Sequence, residues 1–186
     1  MRLSWGSMKF GSLTFNTYFC GLAWLALVTG CSSPDAYESK EDNPSKQLTV
    51  LRLHIETTAD ATGRSAEVPV FRARPVMVTV EQEAFLTEQH VISAELVDEP
   101  GGFSILIEFE REGRWMLERN TASHLRRRIA IFAGFPHERW LGAPVITRVI
   151  TDGKLKFTPD ATREEAVRIV RGLNNMARKV KHDPRF

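Results

Sequence analysis

The sequence predicts an α+β domain, a mixed or antiparallel sheet with two helices packed on one face. Three observations lead there. Short segments that alternate apolar and polar residues outnumber helical ones through the middle of the chain. Two stretches have helical rather than strand periodicity, and each follows a strand-like segment.

Composition sets the frame. With 186 residues, 42% hydrophobic and 26% charged, the chain is neither disordered nor a polytopic membrane protein. Its two cysteines, Cys20 and Cys31, both fall in the first 31 residues, so the remainder of the chain is expected to fold on burial alone, without a disulfide or a thiolate metal site.

The first element is an export signal. Phe10 to Gly30 carries no charge, follows Arg2 and Lys9, and gathers its apolar residues between Gly21 and Val28. It starts at Met1 or Met8. Leu27-Val28-Thr29-Gly30-Cys31 resembles the lipobox of bacterial lipoproteins, which implies cleavage before Cys31 and acylation of its thiol. An uncleaved membrane-spanning helix is the competing reading, disfavoured by Ser12, Thr14, Asn16 and Thr17. Residues 1–30 are thus read as signal peptide. Residues 31–47, polar, acidic and proline-containing, are read as a flexible tether, and residues 48–186 as one domain.

Within that domain Leu51, Leu53 and Ile55 alternate with Arg52 and His54, a half-buried strand over 48–55. Ala59 to Ser65 reads as a turn. Val68 to Phe71 and Val76 to Val80 are short strands separated by Arg74-Pro75, and Val91 to Val97 is another. Pro100-Gly101-Gly102 closes a tight connection into Phe103 to Phe109, the clearest alternating strand. A helix is expected over Arg111 to Leu125, with Trp115, Met116 and Leu117 in its core-facing part. Then come a strand at Arg128 to Ala133, a loop through Gly134 to Glu138, and a strand at Val145 to Ile150. Asp152-Gly153 is a hairpin turn into Leu155 to Phe157. The last helix opens on a capping box, Thr162 with Glu165, and carries an apolar stripe of Ala166, Ile169, Val170, Leu173, Met176, Ala177 and Val180.

Charge is divided along the chain. From Cys31 to Glu110 there are 6 basic and 15 acidic residues, and from Arg111 to Phe186 there are 17 basic and 8 acidic. Folding into one domain is expected to cancel much of this across contacts. The alternative is a basic face for acidic polypeptides, lipid headgroups or a partner.

The C-terminal half resembles the head subdomain of the first periplasmic domain of SecD and SecDF. The residues that carry the likeness are Phe109-Glu-Arg-Glu112-Gly113, then Thr121 through Arg126-Arg127-Arg128 to Ile129-Ala130-Ile131-Phe132. Ala143-Pro144-Val145-Ile146, Asp152-Gly153 and Thr162-Arg-Glu164-Glu165-Ala166 follow in order, and Phe85-Leu86-Thr87 stands upstream. The likeness covers about residues 75–175. It implies a ferredoxin-like α+β fold, a periplasmic setting and a role in holding emerging polypeptide. The sequence departs from the family pattern at Arg126, where the family has a glycine, in the insertion through Phe135 to Trp140, and in lacking the six transmembrane helices of the export motor.

Nothing in the sequence assembles a catalytic centre. His54, His90, His124, His137 and His182 are scattered without metal-ligand spacing, and His137-Glu138 is the only suggestive pair. No catalytic residue, cofactor or metal site is expected. The candidate binding residues are Arg126, Arg127 and Arg128 at the helix-to-strand junction, with Phe135 and Trp140 in the apolar loop. The expected protein is non-enzymatic, anchored by lipid at Cys31 on the periplasmic side of the envelope. It binds a protein or extended polypeptide, with no nucleic acid and no small-molecule substrate. The alternative is an accessory lipoprotein of a fixed envelope complex with no role in export.

Overall fold

Leu51, Leu53 and Ile55 are each at most 1% exposed, so the alternation of the first strand does aim one row of side chains into a core. The computed structural model describes residues 43–59, 63–134 and 136–182. The signal segment, Cys31, most of the tether and Phe135 lie outside the described residues.

The strands are β1 (Leu51–Ile55), β2 (Ser65–Val70), β3 (Val76–Glu81), β4 (Leu86–Thr87), β5 (Val91–Glu99), β6 (Gly102–Phe109), β7 (Ile129–Ala133), β8 (Arg139–Gly142) and β9 (Lys154–Phe157). Helix α1 spans Arg111–Ser123 and α2 spans Arg163–His182, and a 3-10 turn at Glu88–His90 leads into β5. The α+β class holds, and every strand pair named here is antiparallel. The strands divide among three sheets, ordered β4-β1-β7-β8, β2-β3 and β5-β6-β9. Helix α1 carries the chain from β6 in one sheet to β7 in another, so it does not close a crossover within a single sheet.

One core joins the two larger sheets and both helices. Leu51, Leu53, Ile129 and Ile131 meet Ile105, Ile107, Leu155 and Phe157, with Leu117 of α1 and Ala166, Ile169 and Leu173 of α2. A second, smaller core forms on the opposite face of β1 and β7. There Ala130 packs with Val68, Val70, Val78 and Val80 of the β2-β3 hairpin, and Trp140 and Ala143 close the side. This second layer explains His54, which the alternation had assigned to a solvent face. It does point away from the main core, but the hairpin covers that face and leaves it 7% exposed. Its Nδ1–H donates to the Glu81 carbonyl at 2.8 Å. Burial lowers its pKa below the ordinary 6.5, Arg52 pushes the same way, and the Glu81 hydrogen bond opposes them.

Two glycines set the helix positions. A Cβ on Gly113 would sit 2.7 Å from the Cβ of His90 and 3.1 Å from that of Phe109, so only glycine lets α1 lie this close to β6 and the 3-10 turn. On α2 a Cβ at Gly172 would meet Thr49 Oγ1 at 2.1 Å. The capping box of α2 forms as expected. The Thr162 N–H donates to Glu165 Oε2 at 2.8 Å, and the Glu165 N–H donates to Thr162 Oγ1 at 3.2 Å.

Several elements differ from the sequence reading. Val145–Ile150 is not a strand. Val145 makes a single bridge to Arg128, the Ile146 peptide bonds to Arg126 and Arg127, and the Ile150 N–H goes to Thr121 Oγ1 at 3.0 Å. With its backbone groups used there, Asp152-Gly153 turns the chain without making a hairpin, and β9 pairs with β6 instead. Helix α1 ends at Ser123, and β8 begins in the last two residues of the inserted segment and runs on to Gly142. Trp115 is 56% exposed, not core, with the Arg119 guanidinium stacked 4.6 Å from its ring centre. The fold also starts before Leu48. Gln47 is buried, and the Asn175 side chain donates to the carbonyls of Pro44 (2.8 Å) and Gln47 (2.9 Å).

Candidate functional site

The turn after α1 is built by side chains that finish the helix. Thr121 Oγ1–H donates to the Leu117 carbonyl at 2.8 Å while its oxygen accepts from Ile150, which pins the 145–150 segment beside the helix end. His124 follows as C-cap, its N–H and Nδ1–H both directed to the Asn120 carbonyl. The chain then turns through Leu125 and Arg126, and Arg126 adopts φ 70°, the left-handed region that favours glycine.

The three arginines do different things. Arg126 is exposed, and its N–H is held by the Ile146 carbonyl at 2.9 Å. Arg127 is exposed and reaches the Glu56 carbonyl at 3.1 Å through Nη1. Arg128 is half-buried, and its N–H donates to Glu56 Oε2 at 2.9 Å. Two apolar side chains flank the turn, Leu125 at 48% exposure and Val145 at 50%. Behind them a shallow groove runs between the 144–150 segment and the outer edge of β9, with Pro144, Val145, Ile146 and Leu155 along its sides. Exposed Lys154, Lys156 and Arg148 make its rim basic.

Trp140 lies in β8, away from that groove. Its ring meets His54 edge-on at 5.2 Å and Phe132 at 5.5 Å, and it seals the second core. Phe135 cannot be located among the described residues. Sequence reasoning missed Leu125 and Val145, because each looked like one more apolar position in a helix or a strand.

The two ends of the β5-β6-β9 sheet are unlike. At β5, Asn174 of α2 accepts the Ala94 N–H through Oδ1 at 2.9 Å and donates Nδ2–H to the Ala94 carbonyl at 2.8 Å. A side-chain amide there takes the place of a neighbouring strand. Among the described residues the outer edge of β9 pairs with no other strand.

Charge cancels only in part. Lys156 pairs with Glu99 (2.7 Å) and Arg163 with Asp98, which joins the basic half to the acidic one. Arg72, at the tip of the β2-β3 hairpin, and Arg139 of β8 both bind Glu165 and Asp160, fastening the hairpin to the start of α2. Burial raises the Glu165 pKa, but the Thr162 N–H, Arg139 and Arg72 outweigh it and hold the carboxyl below its usual range. On the outer face of α2, Arg168 and Arg178 remain exposed.

One constellation crosses elements in a way no sequence spacing shows. His90 closes the 3-10 turn, Glu110 is the N-cap of α1 and Glu112 lies in its first turn, and their donor atoms come within 4.8 Å of one another. Exposed His137 and Glu138 belong to no such cluster among the described residues.

An α+β head-type domain with one sheet edge open and the other sealed by a helix side chain is the class that fold and surface define. The SecDF P1 head subdomain family matches residues 64–176, and the chain belongs to that family. Among solved structures it is similar to SecDF described as a membrane component that enhances protein export, at 20% identity and a TM-score of 0.51. That likeness covers 69% of this chain and 63% of the other. It is similar to the same degree to SecDF in its super-membrane-facing form, where it spans 19% of that chain. The likeness therefore concerns less than two thirds of either structure. No curated protein matches the chain. No helix among the described residues is long and apolar enough to cross a membrane.

Proposed function

We propose that this is a lipid-anchored envelope protein, held on the periplasmic side by Cys31 and the tether that follows it. Its head-type domain binds extended polypeptide or a protein partner in the setting of protein export, and it does so without catalysing a reaction. Family membership over residues 64–176 carries the reading. The unpaired edge of β9 supports the mode of binding, since a single added strand could hydrogen-bond there while Asn174 closes the opposite edge. Val145 lines the groove beside that edge, and Leu125, Arg126 and Arg127, on the turn bonded to Ile146, supply apolar contact and positive charge, with Phe135 a further candidate. Arg128 and Trp140 act behind the surface by holding its strands.

The test is fluorescence anisotropy of labelled, unfolded secretory polypeptides against the chain from Ser32 onward, at low and at physiological salt. Saturable binding to several chains, weakened by salt and by Arg126→Ala/Arg127→Ala, is expected. No binding, with crosslinking in cells to one folded stoichiometric partner, would replace this reading with an accessory role in a fixed complex.

A further inference from the structure

We propose that His90, Glu110 and Glu112 form a binding site for one divalent transition-metal ion of the zinc class. The three donors belong to two elements about twenty residues apart in sequence, yet they lie within 4.8 Å of one another. Glu110 sits at the N-cap, where a side-chain oxygen usually accepts a first-turn N–H, and it makes no such bond. Among the described residues neither its carboxylate nor that of Glu112 enters a hydrogen bond or an ion pair, although Arg111 and Arg114 are close in sequence.

The donor set suits the ion. One imidazole and two carboxylates are borderline-to-hard ligands that bind zinc and its neighbours and leave coordination positions for water. Thr87 holds the ring through Nδ1, its N–H directed there at 3.5 Å and its Oγ1 standing 3.4 Å away; a metal on Nε2 would move the ring proton to Nδ1, where Thr87 Oγ1 is the available acceptor. The backbone beneath is fixed, because the Glu110 N–H donates to the His90 carbonyl at 2.8 Å. Gly113 keeps the turn and the helix in contact, since no larger residue fits against His90 there. A tetrahedral ion with bonds of about 2 Å needs donors about 3.3 Å apart, an adjustment within the reach of two long glutamate side chains.

Isothermal titration of zinc chloride into the full chain tests this. A Cys20→Ser/Cys31→Ser background removes competing thiols. One ion per chain with a micromolar dissociation constant is expected, weakened at least about tenfold by Glu110→Gln/Glu112→Gln and by His90→Gln, and unchanged by His137→Gln. Far-UV circular dichroism checks that each variant folds. Visible absorption of the cobalt-loaded chain gives a second readout, a tetrahedral spectrum that Glu112→Gln alone weakens. Failure of zinc to saturate at 100-fold excess would overturn the proposal. So would unchanged affinity in a folded Glu110→Gln/Glu112→Gln variant.

Discussion

The side-chain amide of Asn174 makes to Ala94 both hydrogen bonds that an adjacent strand would make, 2.9 Å to the N–H and 2.8 Å from the carbonyl. A helix residue thus does for β5 what a further strand would do, and it denies that edge to other chains. Asn174→Ala is expected to cost about 2 kcal/mol in urea unfolding, because the Ala94 groups lose both partners. The same variant should self-associate at high concentration by size-exclusion chromatography. A stable and strictly monomeric variant would show that the amide does not guard the edge.

Arg126 stands at φ 70°, where the SecD pattern carries a glycine. A residue with a Cβ loses about 1 kcal/mol in that conformation, and glycine gives part of this back through its freer unfolded chain. Arg126→Gly should therefore stabilise the domain by about 0.5 kcal/mol while weakening polypeptide binding. Arg126→Ala should weaken binding without the gain in stability. Denaturant midpoints set beside anisotropy titrations separate the two effects.

His54 gives the fold a pH dependence. Burial depresses its folded pKa below the 6.5 of the unfolded chain, with Arg52 adding to the effect against the Glu81 hydrogen bond. The unfolded state then binds more protons at mildly acidic pH. Its contribution to stability is complete above 6.5 and declines as pH falls from there toward the folded pKa. His54→Gln, which keeps a donor for Glu81, should flatten the stability curve just below 6.5. An unchanged slope would assign the dependence to another group.

Gly172 admits no side chain. A methyl group would stand 2.1 Å from Thr49 Oγ1 and 2.9 Å from the Thr49 backbone nitrogen, so the strand-side segment must shift. Gly172→Ala should destabilise by about 1 to 3 kcal/mol despite the better helix propensity of alanine, measured as a lower urea midpoint.

Much of the fold was legible because local chemistry and tertiary structure agree. Thr162 and Glu165 cap α2 as their spacing implies, and Ile105, Ile107 and Phe109 enter the core as their alternation implies. The illegible parts depended on distant neighbours. His54 reads as polar until the β2-β3 hairpin covers its face, and Val145–Ile150 reads as a strand until Thr121, Arg126 and Arg127 take up its backbone groups. Trp115 reads as core because bulky apolar residues usually are, yet it faces outward beneath Arg119. The cluster of His90, Glu110 and Glu112 follows from the packing that Gly113 permits and from no motif. The arginine turn was legible as a charged junction, whereas the apolar flanks Leu125 and Val145 that make it a surface were not.

The clasp of Asn175 on the carbonyls of Pro44 and Gln47 determines how this domain bears tension. A pull on Asn43 meets those two bonds before it reaches β1. Because β1 lies between β4 and β7, load that passes the clasp falls on a strand held along both of its edges. A chain drawn from its N-terminal side thus loads helix α2 before it loads the sheet.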